Sequence, residues 1–323
     1  MAVRNKAIVE LERDSKLDRI IMTFIMLCIV AVGVYFAIHF NQVQRTSNVT
    51  IEAKKIETFE ELKALNNTLL NDNYFITKDI IIDEDFTLGS KENPLTGKLF
   101  GNGHTISINC ETSSSLIYQI VGNSTVSNLK VEYTKKTSQL TKDFGGIATI
   151  NYGKITDCYV TYNEGLYVGD SATVGGVCAL NFGELKNVIC KVNLIENLTQ
   201  FSNSRIGGIV GVSMDNSLIE NCLSLATSQY VENIESNIEN GQLKTYNIGK
   251  VYGTKFSNAS VKSVYTVKTK ALYSDKFDSG IVWNLTDEYQ GSSFYYEIMK
   301  LGKTTWNISS LDSIELIITN INE

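Results

Sequence analysis

Proline occurs once in 323 residues, histidine twice, and no Cys-x-x-Cys pair is present. The missing cysteine pair removes support for zinc-ribbon or thioredoxin-type chemistry. Lys and Arg number 29 against 35 Asp and Glu, and they are scattered with no basic block or stripe. Such a chain offers no phosphate-binding footprint, so nucleic acid is not an expected partner. No Gly-x-Ser-x-Gly, His-Glu-x-x-His, P-loop or dinucleotide fingerprint occurs. A polysaccharide-cleaving site would need several carboxylates converging on one face. The repeated positions described below supply only Asp157, among amides. Asp83-Glu84-Asp85 reads as a solvated turn and His104 as a turn residue. The expectation is a chain that is not an enzyme and holds no cofactor or metal.

What is present is one phrase written three times between residues 145 and 224: GGIATINYGKITDCYV, GGVCALNFGELKNVIC and GGIVGVSMDNSLIENCLS. Ile147, Val177 and Ile209 stand 30 and 32 residues apart, a period that marks a solenoid or propeller-like array. Looser copies begin at Ser115 and Gly249, giving about five coils stacked at about 4.8 Å.

Reading the copies as columns sorts their residues. One apolar column holds Ile117, Ile147, Val177, Ile209 and Val251. A second holds Val126, Ile155, Leu185, Ile219 and Val261, and a third Leu129, Cys158, Val188, Cys222 and Val264. Cysteines alternate with aliphatics in the third, which points to core-filling thiols; a disulfide is the alternative on an oxidising side of a membrane. Cys110, Cys178 and Cys190 carry the same two readings. Asn128, Asp157, Asn187, Asn221 and Ser263 form a polar column suited to amide ladders or turn hydrogen bonds. Gly145, Gly175, Gly207 and Gly249 mark a positive φ or a tight corner.

Period-two alternation turns Tyr159, Ile189, Leu223 and Tyr265 outward if the third column points in. This stripe is either covered by the C-terminal segment or a loop, or is a docking surface for another chain. The turn aromatics Tyr152 and Phe182 either pack on each other or hold a sugar ring. Residues 228–247 exceed the period and form an excursion that is a candidate contact region.

Residues 20–40, IIMTFIMLCIVAVGVYFAIHF, carry no Asp, Glu, Lys or Arg. As a helix they span roughly 30 Å, a bilayer length and too long for a usual cleaved leader. Five basic residues precede the span and three follow closely, so residues 1–19 are expected to be a cytoplasmic tail. Residues 41–56 then form a tether, 57–269 an extracytoplasmic domain and 270–323 a C-terminal cap containing Trp283 and Trp306. Thr58-Phe-Glu-Glu61 is a capping box and predicts a short cap helix over 59–70.

The Gly-Gly phrases, with LTGKLFGNGHTISI before them, resemble GLUG-motif repeats of bacterial surface proteins. The resemblance covers roughly residues 56–310 and implies a parallel, right-handed β-helix serving as an adhesive or structural module, with no catalytic residues to carry over. Two departures stand out: Ser213-Met-Asp replaces the Asn-aromatic-Gly turn, and Lys250 replaces the second Gly of the last copy. The combined expectation is an all-β, membrane-anchored, single-pass protein working as a binding or assembly module of the cell envelope. Other envelope proteins or further copies of itself are its expected partners, with a surface adhesin or glycan binder as the alternative.

Overall fold

The structure is a computed structural model describing residues 53–196, 203–228, 238–239, 242–243, 247–267, 282–285 and 291–319. The span at 20–40 and the tail at 1–19 lie outside these residues; among the described residues no helix is long and apolar enough to cross a membrane.

The chain is mostly β and winds through four parallel sheets. In one coil it passes from Thr173–Gly175 to Cys178–Asn181, then to Glu184–Lys186 and on to Ile189–Glu196. Each strand pairs in parallel with its equivalents in neighbouring coils. A parallel sheet is buried on the side facing the axis, and the inward rows accordingly form one apolar core.

The second column is seen as expected, each residue paired with the next from Val126 to Val261. That ladder runs further toward the N-terminus than the repeat phrase does. It has eight strands, with Leu99 paired to Val126, and Tyr74 to Leu99. Its first strand, Ala53–Ile56, lies within the expected tether. These early coils lack the Gly-Gly phrase, and Tyr74, Leu99 and Val126 are spaced by only 25 and 27 residues, so the longer period hides them.

The first column needs a correction of one residue. Ala148 pairs with Ile117, so it is Leu116, also buried, that stands under Ile147. Ser115 takes the place of the second glycine, and its hydroxyl accepts from Gly145 N at 2.9 Å.

Of the two reasons offered for the glycines, the tight corner is the one that holds. None of Gly145, Gly175 and Gly207 has a positive φ; the left-handed corner belongs to the polar column, with φ of 50, 53, 54, 54 and 49° at Asn128, Asp157, Asn187, Asn221 and Ser263. Asn and Asp tolerate this conformation because the short polar side chain bonds locally. Gly175 is needed for space, since a Cβ there would lie 2.0 Å from Cys178 O and 2.7 Å from Gly211 N. At Lys250 the coil continues, with the side chain buried and the carbonyl accepting from Ser224 Oγ.

The polar column is a ladder in part. Asn221 Nδ2 donates to Asn187 Oδ1 at 2.7 Å, and Asn187 Nδ2 to Asp157 Oδ1 at 3.0 Å. Asn187→Ala loses the left-handed tolerance and both of its ladder bonds, and should cost about 2 kcal/mol. Asn187→Gly keeps the corner and should cost about half as much. Equilibrium denaturation of the two variants separates conformation from hydrogen bonding.

Cys158, Cys178, Cys190 and Cys222 are buried free thiols, and Cys110 is half-buried and free. Burial pushes the Cys158 and Cys222 thiols up to about 12 and raises those of Cys178 and Cys190 as well. Above about pH 9 the unfolded chain therefore loses protons that the folded chain keeps, so stability falls as pH rises from about 9 towards 12. Denaturant midpoints should drop between pH 8 and about 10.5, and in the native protein a thiol reagent should reach Cys110 well before these four.

The cap helix is Phe59–Ala64, followed by a 3-10 turn over Leu65–Asn67, and its Thr58/Glu61 capping box is formed. It is shorter than the apolar spacing implies. The C-terminal region is not an end cap as far as it is described. Val282–Leu285 adds a further parallel strand beside Val264–Val267. Residues 291–319 instead run along one flank of the stack, through a π-helical turn at Phe294–Ile298 and a hairpin of Trp306–Ser310 with Ser313–Leu316.

Candidate binding surface

Tyr159, Ile189, Leu223 and Tyr265 stand in one outward row, in register from strand to strand. They are not open. The flank segment lies over them, and together with Phe294, Tyr295, Met299, Leu301, Trp306 and Ile308 they form a second apolar cluster. Phe294 meets the Tyr265 ring edge-on at 5.1 Å. Trp306 Nε1 donates to Asp157 Oδ1 at 3.3 Å, and Asn221 Nδ2 to Met299 O at 2.6 Å, so the strap is tied to the polar ladder. At its far end Thr319 N donates to Asn102 O at 2.9 Å. As a docking surface for another chain the stripe is thus superseded, because this chain's own residues bury it. The driving force is the apolar area that four outward side chains would otherwise expose to water.

A row of apolar side chains reaches the surface where each coil turns from its second strand, Cys178–Asn181 or its equivalent, to its third, Glu184–Lys186 or its equivalent. Asn151 and Asn181 are buried there and bonded to each other, Nδ2 to Oδ1 at 2.8 Å. Alternation therefore points the residues on either side of each asparagine outward. Tyr152 and Phe182 are the aromatic members of this row, and the backbone register continues it to Met214 and Phe256 in one direction and to Val121 in the other. The turn N–H groups of Tyr152, Phe182, Met214 and Phe256 each donate to the preceding coil at 2.8–2.9 Å. Tyr152 is 45% and Phe256 43% exposed. Ile150 and Leu180, two residues earlier, are partly exposed on the same side. The result is an apolar ridge about 19 Å long, four steps of about 4.8 Å.

Of the two readings of Tyr152 and Phe182, mutual packing is what the geometry contains. Their rings stack at 4.4 Å with an interplanar angle of 17°, so the facing ring surfaces are closed to a sugar. Sequence reasoning named these two and missed Val121, Met214 and Phe256. Met214 belongs to the aberrant Ser213-Met-Asp turn, and only the pairing of Ser213 with Asn181 fixes its place.

A second opening lies where the strap's hairpin meets the flank. It is a cleft of about 520 Å³. Lys130 and Glu132 project from one strand and Lys191 from the next but one, with Tyr159–Tyr162 between them, and Asp312 and Glu315 come from the hairpin on the other side. Tyr159 and Thr161 lie between them, and Thr161 Oγ1 is buried and makes no hydrogen bond within the protein. Lys191 Nζ sits 3.4 Å from Asp312 Oδ1, and Lys130 Nζ 3.6 Å from Glu132 Oε2. Nothing in the repeat phrase marks this cleft, because Lys191 and Asp312 are 121 residues apart.

The remaining candidates are dispersed. His104 Nδ1 lies 3.2 Å from Asp79 Oδ1 at a coil corner. Asp83, Glu84 and Asp85 are engaged separately, with Asn109, Lys63 and Thr112. In the excursion at 228–247, Ile238–Glu239 pairs antiparallel with Gln242–Leu243; residues 229–237, 240–241 and 244–246 lie outside the described residues.

No protein-family profile matches this chain, and neither a curated protein nor a solved structure does.

Proposed function

We propose that this chain is a non-catalytic assembly module of a cell envelope: a right-handed parallel β-helix held outside a membrane by residues 20–40, with residues 1–19 in the cytoplasm. The right-handed sense is that of nearly all parallel crossovers. The resemblance of the Gly-Gly phrases to GLUG repeats agrees with a surface module. The observation that carries the assembly reading is the ridge of Val121, Tyr152, Phe182, Met214 and Phe256, exposed at Tyr152 and Phe256 and partly exposed at the other three among the described residues, whereas the strap buries the other apolar stripe. A monomer gains nothing by exposing aromatic residues in register over successive coils, whereas a partner protein with a matching apolar strip gains their burial.

The ridge is narrow, so the contact is of the small, reversible kind. Anchoring both partners in one membrane raises their effective concentration and compensates for that. Phe182→Asp combined with Phe256→Asp should reduce co-purification of envelope partners from gently solubilised membranes by at least tenfold, while the domain still unfolds cooperatively with a midpoint lowered only by the lost Tyr152 stacking, about 1 kcal/mol. Undiminished partner recovery from the double variant would remove the ridge from the assembly reading.

A further inference from the structure

We propose that the cleft between the flank and the strap is a binding site for a neutral, hydroxyl-rich saccharide. Its volume of about 520 Å³ falls in the range of small-molecule sites, roughly 300–1,000 Å³. The signs of its charges are interleaved rather than segregated: Lys130 is paired with Glu132, and Lys191 with Asp312. With Glu315 the five charged side chains sum to −1, a weak net field that favours no anion. A polyanion would need an unbalanced set of Lys or Arg, and an apolar ligand would have to desolvate charged groups for no return.

A sugar hydroxyl uses both signs at once, donating to a carboxylate while accepting from an ammonium or amide. The cleft presents such donor–acceptor couples at three places. Lys130 stands beside Glu132 at 3.6 Å, Lys191 beside Asp312 at 3.4 Å, and Asn163 Nδ2 beside Glu132 Oε1 at 3.4 Å. Each is longer than a charge-assisted hydrogen bond of about 2.7–2.9 Å, so each keeps bonding capacity for a third group. Thr161 also lines the cleft, its hydroxyl buried beneath the surface without a hydrogen-bond partner among the described residues. The ammonium and carboxylate groups come from the β-helix flank and from a strap more than 100 residues away in sequence, and the strap is held in place by Trp306 and Asp157.

The test uses the full chain in detergent micelles on an array of neutral, N-acetylated and uronic-acid oligosaccharides, followed by calorimetry on the strongest binder. A neutral or N-acetylated oligosaccharide should bind, with affinity little changed between low and high salt. Lys191→Ala and Glu132→Gln should each weaken it at least tenfold, while Lys98→Ala, on another sheet, should not. Both cleft residues are partly exposed, so the variants should keep the native unfolding transition, which circular dichroism checks. Absence of binding to every neutral sugar, binding confined to uronic acids and abolished by salt, or binding untouched by the cleft variants would each overturn the proposal. None of these outcomes bears on the ridge, whose test reads partner proteins.

Discussion

Gly175→Ala should yield no soluble domain, or a domain whose unfolding midpoint is lower by about 10 °C or more, equivalent to a loss on the order of 4 kcal/mol. The added methyl would sit 2.0 Å from Cys178 O and 2.7 Å from Gly211 N. Both are backbone atoms of hydrogen-bonded strands, so neither can swing aside as a side chain would. The same corner recurs at Gly145 and Gly207, where the nearest backbone oxygens are 2.2 and 2.0 Å from the added carbon. Gly122→Ala is the contrast. Its φ of +64° makes alanine cost about 1 kcal/mol, but a Cβ there meets nothing within 4 Å. Thermal unfolding of the two variants side by side tests whether the repeated glycine answers to space or to conformation. Equal, small losses would contradict the close-packed corner.

Trp306→Ala should release the strap from the flank while leaving the β-helix folded. Trp306 is 1% exposed, its indole N–H holds Asp157 Oδ1, and its backbone carbonyl accepts from Tyr296 Oη at 3.0 Å. Removing a buried tryptophan costs about 3–5 kcal/mol. Because the strap is joined to the stack mainly through side chains, that loss should fall on local opening rather than on the whole domain. Hydrogen exchange should show lost protection across residues 305–317 with the strand Lys154–Thr156 still protected, and dye binding should rise as Tyr159, Ile189 and Leu223 become wet. Unchanged protection of the hairpin would mean that the strap is held by something other than this anchor.

The repeat itself was legible because stacking places like residues at like positions. Ile155, Leu185 and Ile219 could be aligned from the phrase alone, and the ladder pairs them so. The outward stripe from Tyr159 to Tyr265 was legible for the same reason, since alternation within a strand is local. What covers that stripe was not. Residues 291–319 have no repeat and bind it through contacts such as Trp306 to Asp157, which no local periodicity encodes. Their apolar residues signalled burial without saying against what, so an end cap and a side strap looked alike. The early coils at Tyr74 and Leu99 escaped notice for the opposite reason: their strands are ordinary, but their spacing is shorter. For the repeated glycine the sequence left a positive φ and a tight corner equally open, and the chain uses Asn, Asp or Ser at the left-handed corner and reserves glycine for the place where no side chain fits.

The ridge and the stripe are two apolar rows on one solenoid, one partly exposed among the described residues and one covered, and the assembly reading depends on that difference. The most direct measurement is site-specific photo-crosslinking in intact membranes, with the reactive side chain placed at position 182 in one sample and at position 189 in another. Crosslinks from 182 to a separate membrane or envelope protein, with crosslinks from 189 confined to this chain's own residues 291–319, is the predicted result. Intermolecular crosslinks from 189 and none from 182 would contradict it.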